Sequence, residues 1–333
     1  MSHWMDQKIL DKLTSPQARL PYLEAWLLEE VWTMARLHDQ DGKPSEYLKS
    51  GEELVNGMES LLTSSAESYF TELCATPVPL RSVAQFFSEY EKGCVVVLDG
   101  CSLREVPRLA ELARLSRRPV IETSCSRSAI PSTTEHFIGD RLGLGLPPIG
   151  PSKLAPRHEL KERGIGFYYF QSPNEHQAIS EEAEHILIWH RFPDRRYLDS
   201  TASTLEFYDS IWDTLELVWK RTVQVLPASR PVLVTSDHGY VYLGSGLSDR
   251  SLDGKDRTLK GKRFREYSEE EPLPEESPEF FVDRERRLAV IKGRCHNHPQ
   301  APSPSQSLYR HEGISLMEVL TPWLVLGPME VNK

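Results

Sequence analysis

The sequence has no apolar run approaching the roughly 20 residues that span a bilayer, so no membrane-crossing helix is expected. Its opening residues, Met1-Ser2-His3-Trp4-Met5-Asp6, lack the basic, apolar and small-residue succession of a secretory signal. Cysteine is scarce. Cys74, Cys94, Cys101, Cys125 and Cys295 make an odd, scattered set, which argues against a disulfide framework and for reduced, buried thiols. Positive charge is also short, with 39 Lys and Arg against 49 Asp and Glu and a formal net charge of −10. That balance excludes broad nonspecific attraction to nucleic acid or anionic membrane, while leaving room for a local basic groove. These absences together lead us to expect a cytoplasmic protein with no membrane partner.

What is present is a chain of 333 residues, long enough to bury a sizeable core. Residues 6 to 90 read as helical: Leu23, Trp26, Leu27, Val31 and Met34 recur at helical spacing, as do Leu54, Met58, Leu61 and Leu62. Asp41-Gly42-Lys43-Pro44 marks a turn between two of these helices. This region carries no catalytic signature, so packing or partner docking is its expected role.

The pattern changes at Gly93. Cys94-Val95-Val96-Val97-Leu98 is a short apolar run of the kind buried in parallel sheets, and it ends in Asp99-Gly100. Leu103 to Leu115 has helical periodicity, and Pro119-Val120-Ile121 begins a second strand leading to Pro131-Ser132-Thr133-Thr134. Leu142 to Pro156 is too rich in Gly and Pro for a helix or a central strand and reads as a loop or lid. Phe167 to Phe170 and His185 to Trp189 predict further strands, the latter running on to Pro193-Asp194. Thr204 to Leu226 is the strongest helix, with Leu205, Tyr208, Trp212, Leu215 and Trp219 on one face and Pro227 after its end. Val232-Leu233-Val234-Thr235 then predicts a strand that stops on Ser236-Asp237-His238-Gly239. The segment from 244 to 308, basic around Lys255 to Arg265 and acidic around Glu269 to Glu276, reads as a solvated surface insertion, its basic half a candidate for steering substrate. Arg287 to Ile291 predicts a returning strand, His311 stands before a short helix, and Trp323 to Leu326 closes the chain as a strand. Strands alternating with helices imply a mostly parallel sheet covered on both faces.

Asp99, Asp194 and Asp237-His238 each follow an apolar strand run. In a parallel sheet such positions share one edge, where ligands bind. Carboxylate and imidazole are ligands for zinc and related divalent ions. A pair of such ions about 4 Å apart stabilises both the entering and the leaving oxygen of a phosphate ester. A hydroxyl nucleophile is then needed, and Pro131-Ser132-Thr133-Thr134 supplies hydroxyls at the start of a helix. Cys295-His296-Asn297-His298 has no second cluster at finger spacing and reads as a loop.

In this order the motifs resemble the PglZ domain, within the alkaline phosphatase superfamily, over roughly residues 93 to 328. The resemblance rests on Val97-Leu98-Asp99-Gly100, Pro131-Ser132-Thr133-Thr134, Thr235-Ser236-Asp237-His238-Gly239 and His311-Glu312-Gly313-Ile314-Ser315-Leu316-Met317-Glu318, the last with Glu312 where the superfamily has glycine. It implies an α/β fold with an alkaline-phosphatase-like, mostly parallel central sheet and helices on both faces. An N-terminal helical region (1–90) would precede the α/β domain (91–330), which carries an insertion at about 244–308. It implies that Asp99, Thr134, Asp237 and His238 surround one metal and that His311 and Asp194 hold another, Zn2+ being preferred and Mn2+ or Mg2+ alternatives. Thr134 becomes the candidate nucleophile, with Ser132 and Thr123 as alternatives. The sulfatase motif Cys-x-Pro-x-Arg is absent. One departure is that Leu198 stands where the superfamily has a histidine four residues after Asp194, so either Asp199 or His190 replaces that ligand or the site binds metal weakly. Arg195 and Arg196 are candidates to clamp phosphate, and Glu312 to orient His311. The resemblance implies a metal-dependent phosphohydrolase, diesterase- or nuclease-like, acting on a nucleic acid, nucleotide or other phosphate ester. Its context would be bacterial antiphage defence of the BREX kind, with protein partners. The alternative is a catalytically degenerate interaction module.

Overall fold

The computed structural model describes residues 7–65, 68–74, 81–197, 204–244, 250–251, 259, 262–296 and 308–330. Leu198 and Asp199, with Lys255, Arg257 and Lys260, lie outside the described residues. Among the described residues no helix is long and apolar enough to cross a membrane.

Six strands form the central sheet: β1 (Cys94–Leu98), β2 (Val120–Arg127), β3 (Ile165–Phe170), β4 (His185–His190), β5 (Val232–Thr235) and β6 (Leu320–Leu326), in the order β2-β6-β5-β1-β4-β3. β1 lies parallel to both β4 and β5, and β3 parallel to β4. The closing strand β6 runs antiparallel to β5 and β2, so five strands point one way and one returns. The expectation of a mostly parallel sheet holds. Its central strands are apolar at nearly every position because both faces are covered. Val96, Leu98, Ile188, Val234 and Leu324 enter one hydrophobic cluster, while their neighbours Val95, Val97, Leu187, Leu233 and Val325 enter the other.

Helices cover both faces. On the first lie α1 (Pro44–Ser65), α2 (Val106–Leu115) and α4 (Phe207–Thr222); on the second, residues of α3 (Thr134–Asp140). The α4 helix starts later than its periodicity predicts but buries the expected face, Tyr208, Trp212, Leu215 and Trp219. Its Asp209 carboxylate accepts the Ser45 N–H at 2.7 Å and so caps the first turn of α1. The N-terminal helices contribute Leu23, Leu27, Val31 and Met58 to the same cluster as the sheet. Leu142, Leu144 and Leu146 pin the Gly/Pro-rich segment to the second face.

Three features differ from expectation. Leu288–Ile291 is a strand, but it pairs with Phe264–Glu266 and Phe280–Asp283 in a separate three-stranded sheet. Cys295–His296 pairs with Arg250–Ser251 where a loop was expected. The insertion is not solvated throughout: Arg263 is buried and ion-paired to Glu318. A charge run reads as solvent-facing in sequence, and only a distant partner such as Glu318 makes its burial tolerable.

Candidate metal-binding site

Because β1, β4 and β5 are neighbours and parallel, the residues just past their carboxyl ends converge. Asp99 follows β1, Asp237 and His238 follow β5, and Asp194 follows β4 by way of Arg191-Phe192-Pro193. The Asp194 N–H donates to the Asp99 carbonyl at 2.9 Å. Gly100 takes φ +71°, where a side chain is strained, and a β-carbon there would lie 2.9 Å from that of Asp194. Its N–H donates to Asp237 Oδ1 at 3.0 Å, orienting that carboxylate. Leu320, at the start of β6, pairs with Arg127, which brings the end of β2 to the same edge. The chain beyond β2 reaches α3, whose first residue, Thr134, donates its hydroxyl to Asp237 Oδ2 at 2.6 Å. His311 completes the group, its ring stacked on His238 with centroids 4.1 Å apart and planes 13° apart.

Two sets of possible ligand atoms result, one from Asp99, Asp237 and His238 and one from Asp194, His238 and His311, each within 4.8 Å. The first is buried, with Asp99 6 %, Asp237 0 % and His238 1 % exposed. His238 Nδ1 lies 2.9 Å from the Gly239 carbonyl and His311 Nδ1 3.1 Å from that of Ser132. In the neutral rings these contacts favour a proton on each Nδ1, which would leave each Nε2 to face a ligand. His238 Nε2 stands 3.6 Å from both Asp99 Oδ1 and Asp237 Oδ2, and His311 Nε2 3.5 Å from Asp194 Oδ1. Trp189 donates to Asp99 Oδ2 at 3.2 Å, while the buried Asp99 Oδ1 and His238 Nε2 have no hydrogen-bond partner. Three carboxylates gathered around two buried, unpartnered ligand atoms suit a divalent cation, so the residues present fit a metal.

The electrostatics agree. Burial, and then the neighbouring Asp237 and Asp194, push the Asp99 carboxyl well above its usual range. Burial works against the charged form of His238, but the carboxylates of Asp237, Asp194 and Asp99 outweigh it and raise the imidazole to about 9. Both shifts mean that the metal-free folded chain holds protons that the unfolded chain releases. For His238 the contribution to stability is complete below the unfolded histidine value of roughly 6.5 and is lost as pH rises toward about 9. Metal-free protein is therefore expected to melt at a lower temperature at pH 9 than at pH 6.5. If Zn2+ binds there it would displace the proton, and saturating Zn2+ should then narrow the difference. Calorimetry at the two pH values checks this, and a melting temperature that rises with pH in the metal-free state contradicts it.

The other sequence candidates lie elsewhere. Ser132 is buried and donates to the Gly313 carbonyl at 3.0 Å. Thr123 pairs with Leu324 in mid-strand, away from the edge. His190 stacks on Phe170 and is in neither ligand set. Arg196 lies over the Phe207 ring and Arg195 is exposed, whereas Arg191 lines the cleft. Glu312 holds the glycine position at φ 81° and accepts the Arg263 N–H at 3.2 Å.

The site opens into a cleft of about 1200 Å³, walled also by Tyr169, Arg191, Lys262, Phe264, Arg265 and His136. Of the basic half of the insertion, Lys262 and Arg265 line this cleft. Arg191 and His136 were missed: Arg191 follows a strand end as Asp99 does, but nothing in one sequence separates it from Arg195.

The chain thus has an α/β fold with acids and imidazoles gathered at the carboxyl edge of its sheet. No family model matches the sequence, and no curated protein matches it. Solved structures do. Murine ectonucleotide pyrophosphatase/phosphodiesterase 5, in an inactive form complexed with AMP, is 13 % identical, with 72 % of this chain and 88 % of that one covered and a TM-score of 0.45. The human protein of the same name is 13 % identical over 71 % and 88 % (TM-score 0.44). Phosphonoacetate hydrolase from Sinorhizobium meliloti, with phosphonoacetate bound, is 12 % identical over 70 % and 89 % (TM-score 0.40). Likenesses this remote carry no weight for the activity of this chain.

Proposed function

We propose that the protein is a metal-dependent phosphohydrolase of alkaline-phosphatase-like type, acting on phosphodiesters with Thr134 as nucleophile. The observation that carries this is the Thr134 hydroxyl, bonded to Asp237 beside two ligand sets that share His238. Asp99, Asp237 and His238 would hold one ion, and Asp194 and His311, with His238 adjacent, a second. The nitrogen and carboxylate donors suit Zn2+, with Mn2+ or Mg2+ as alternatives. Bound metal would supply Lewis-acid polarisation of the phosphoryl oxygens and lower the pKa of the attacking hydroxyl.

The chain's own groups supply the rest. Asp237, itself held by the Gly100 N–H, aims Thr134 Oγ1. Arg191, Lys262 and Arg265 offset the charge of the substrate in the cleft. Thr134 Oγ1 forms the new P–O bond as the P–O bond to the leaving alcohol breaks, its proton passing to the departing oxygen through solvent. Water then hydrolyses the phosphothreonine, restoring the hydroxyl and releasing the second product. A cleft of about 1200 Å³ exceeds the usual small-molecule pocket of roughly 300–1,000 Å³, which favours a nucleotide or nucleic-acid diester over a small monoester. The PglZ resemblance adds a cytoplasmic, antiphage-defence setting with protein partners.

Purified protein is expected to bind Zn2+ and, with Zn2+ or Mn2+, to hydrolyse bis-p-nitrophenyl phosphate. Absence of both metal and turnover would sink the reading. A second reading, a phosphatase-like interaction module, draws on the Asp194 side, where the described residues supply two ligands besides the shared His238. Phage restriction unaffected by Asp237→Ala in a folded protein would favour it.

A further inference from the structure

We propose that the buried Arg263–Glu318 pair positions the two stacked histidines, which makes the insertion between His238 and His311 part of the metal site. The inference rests on reading His238 and His311 as metal ligands. Buried ion pairs seldom stabilise a fold more than apolar residues of the same size would. Arg263 is 4 % and Glu318 0 % exposed, so a buried pair here points to a requirement for geometry. Neither residue lines the cleft or belongs to a ligand set.

The geometry is specific. Arg263 Nε donates to Glu318 Oε1 at 2.9 Å and Nη2 to Glu318 Oε2 at 3.0 Å, a two-pronged pairing that lysine cannot copy. Nη2 also donates to the Gly293 carbonyl at 2.8 Å, and Nη1 to that of Cys295 at 2.5 Å. Glu318 Oε1 in turn accepts the Gly313 N–H at 2.9 Å. The guanidinium packs against Gly313, whose β-carbon, if present, would come within 2.5 to 2.8 Å of it. The Arg263 N–H donates to Glu312, held at φ 81°. Both residues that follow His311 are thus fixed by Arg263.

The backbone of Glu318 also meets the segment that carries the other histidine. The Glu318 carbonyl accepts the Gly239 N–H at 3.0 Å, one residue past His238. A β-carbon on Gly239 would overlap the Met317 carbonyl, so the two segments touch backbone to backbone. The ion pair thus holds the chain just beyond His311, the main chain of Glu318 holds that just beyond His238, and the rings stack 4.1 Å apart between the two. Groups that orient metal-bound histidines typically set metal affinity by about 10–100-fold.

The test compares wild type with Arg263→Lys and Gly313→Ala, the second of which forces the guanidinium away while keeping both charges. Arg263→Met/Glu318→Met, which leaves no buried charge, is read in parallel. Zn2+ dissociation constants come from competition with a chromophoric chelator, and the Co2+ d–d absorption reports ligand geometry, each on protein shown to be folded by circular dichroism. We expect the weaker dissociation constant to rise about 10–100-fold and the Co2+ spectrum to change. A purely structural pair would lower the melting temperature and leave both metal readouts alone. Wild-type constants and spectra in the folded variants overturn the inference and spare the metal-site reading. A wild type that binds neither Zn2+ nor Co2+ overturns both.

Discussion

Thr134→Ala is expected to keep its fold and lose turnover, with kcat falling by about 10⁴-fold or more, the scale on which removal of a nucleophile acts. The fold should survive because Thr134 does not cap its own helix. Thr133 performs that task, its Oγ1 accepting the His136 N–H at 3.4 Å. Alanine is also a better helix former than threonine. What is lost is the 2.6 Å hydrogen bond to Asp237, worth on the order of 1–2 kcal/mol, and with it the hydroxyl that reaches that carboxylate from α3. Thr134→Ser restores a hydroxyl and should recover measurable turnover. Steady-state kinetics on bis-p-nitrophenyl phosphate, beside thermal melts, check both. Undiminished activity in Thr134→Ala removes this residue as the nucleophile.

The largest expected loss of stability follows Glu52→Ala. Glu52 is 0 % exposed in α1 and pairs with two buried arginines, Arg104 (Nε to Oε1, 2.6 Å) and Arg294. Removing the acid leaves two guanidinium groups in the interior with one countercharge gone. Breaking a buried pair from one side costs about 3–5 kcal/mol. The effect should extend to the site, since Arg104 lies over the Tyr240 ring at 4.1 Å and donates to its carbonyl at 3.0 Å, two residues beyond His238. Urea unfolding is the measurement, and a shift equivalent to less than about 1 kcal/mol would mean that the arginines find other partners.

The central sheet was legible because each buried strand is a short apolar run, and the ends of those runs placed Asp99, Asp194 and Asp237-His238 on one edge. Periodicity also revealed the face of α4. What did not show were contacts made by charge. Arg263 reads as one more basic residue in an exposed tract, yet Glu318, far along the chain, makes its burial possible. Arg191 lines the cleft where Arg195 had been expected, a difference that residue type alone does not reveal. Ser132 looked like a spare nucleophile and instead holds the Gly313 carbonyl, because hydroxyl direction is fixed only by tertiary neighbours.

The strand order has a consequence for how the chain reaches its native state. The three strands whose ends carry the acids, β5, β1 and β4, are adjacent in the sheet but far apart in sequence, and His311 reaches the same edge from near the carboxyl terminus. Contacts between such distant segments carry the largest loop-closure cost and are slow to form. The full ligand set can therefore meet only after β1 has paired on both sides and β6 has returned beside β5. If the edge binds two ions as proposed, their simultaneous capture would report a late stage of folding.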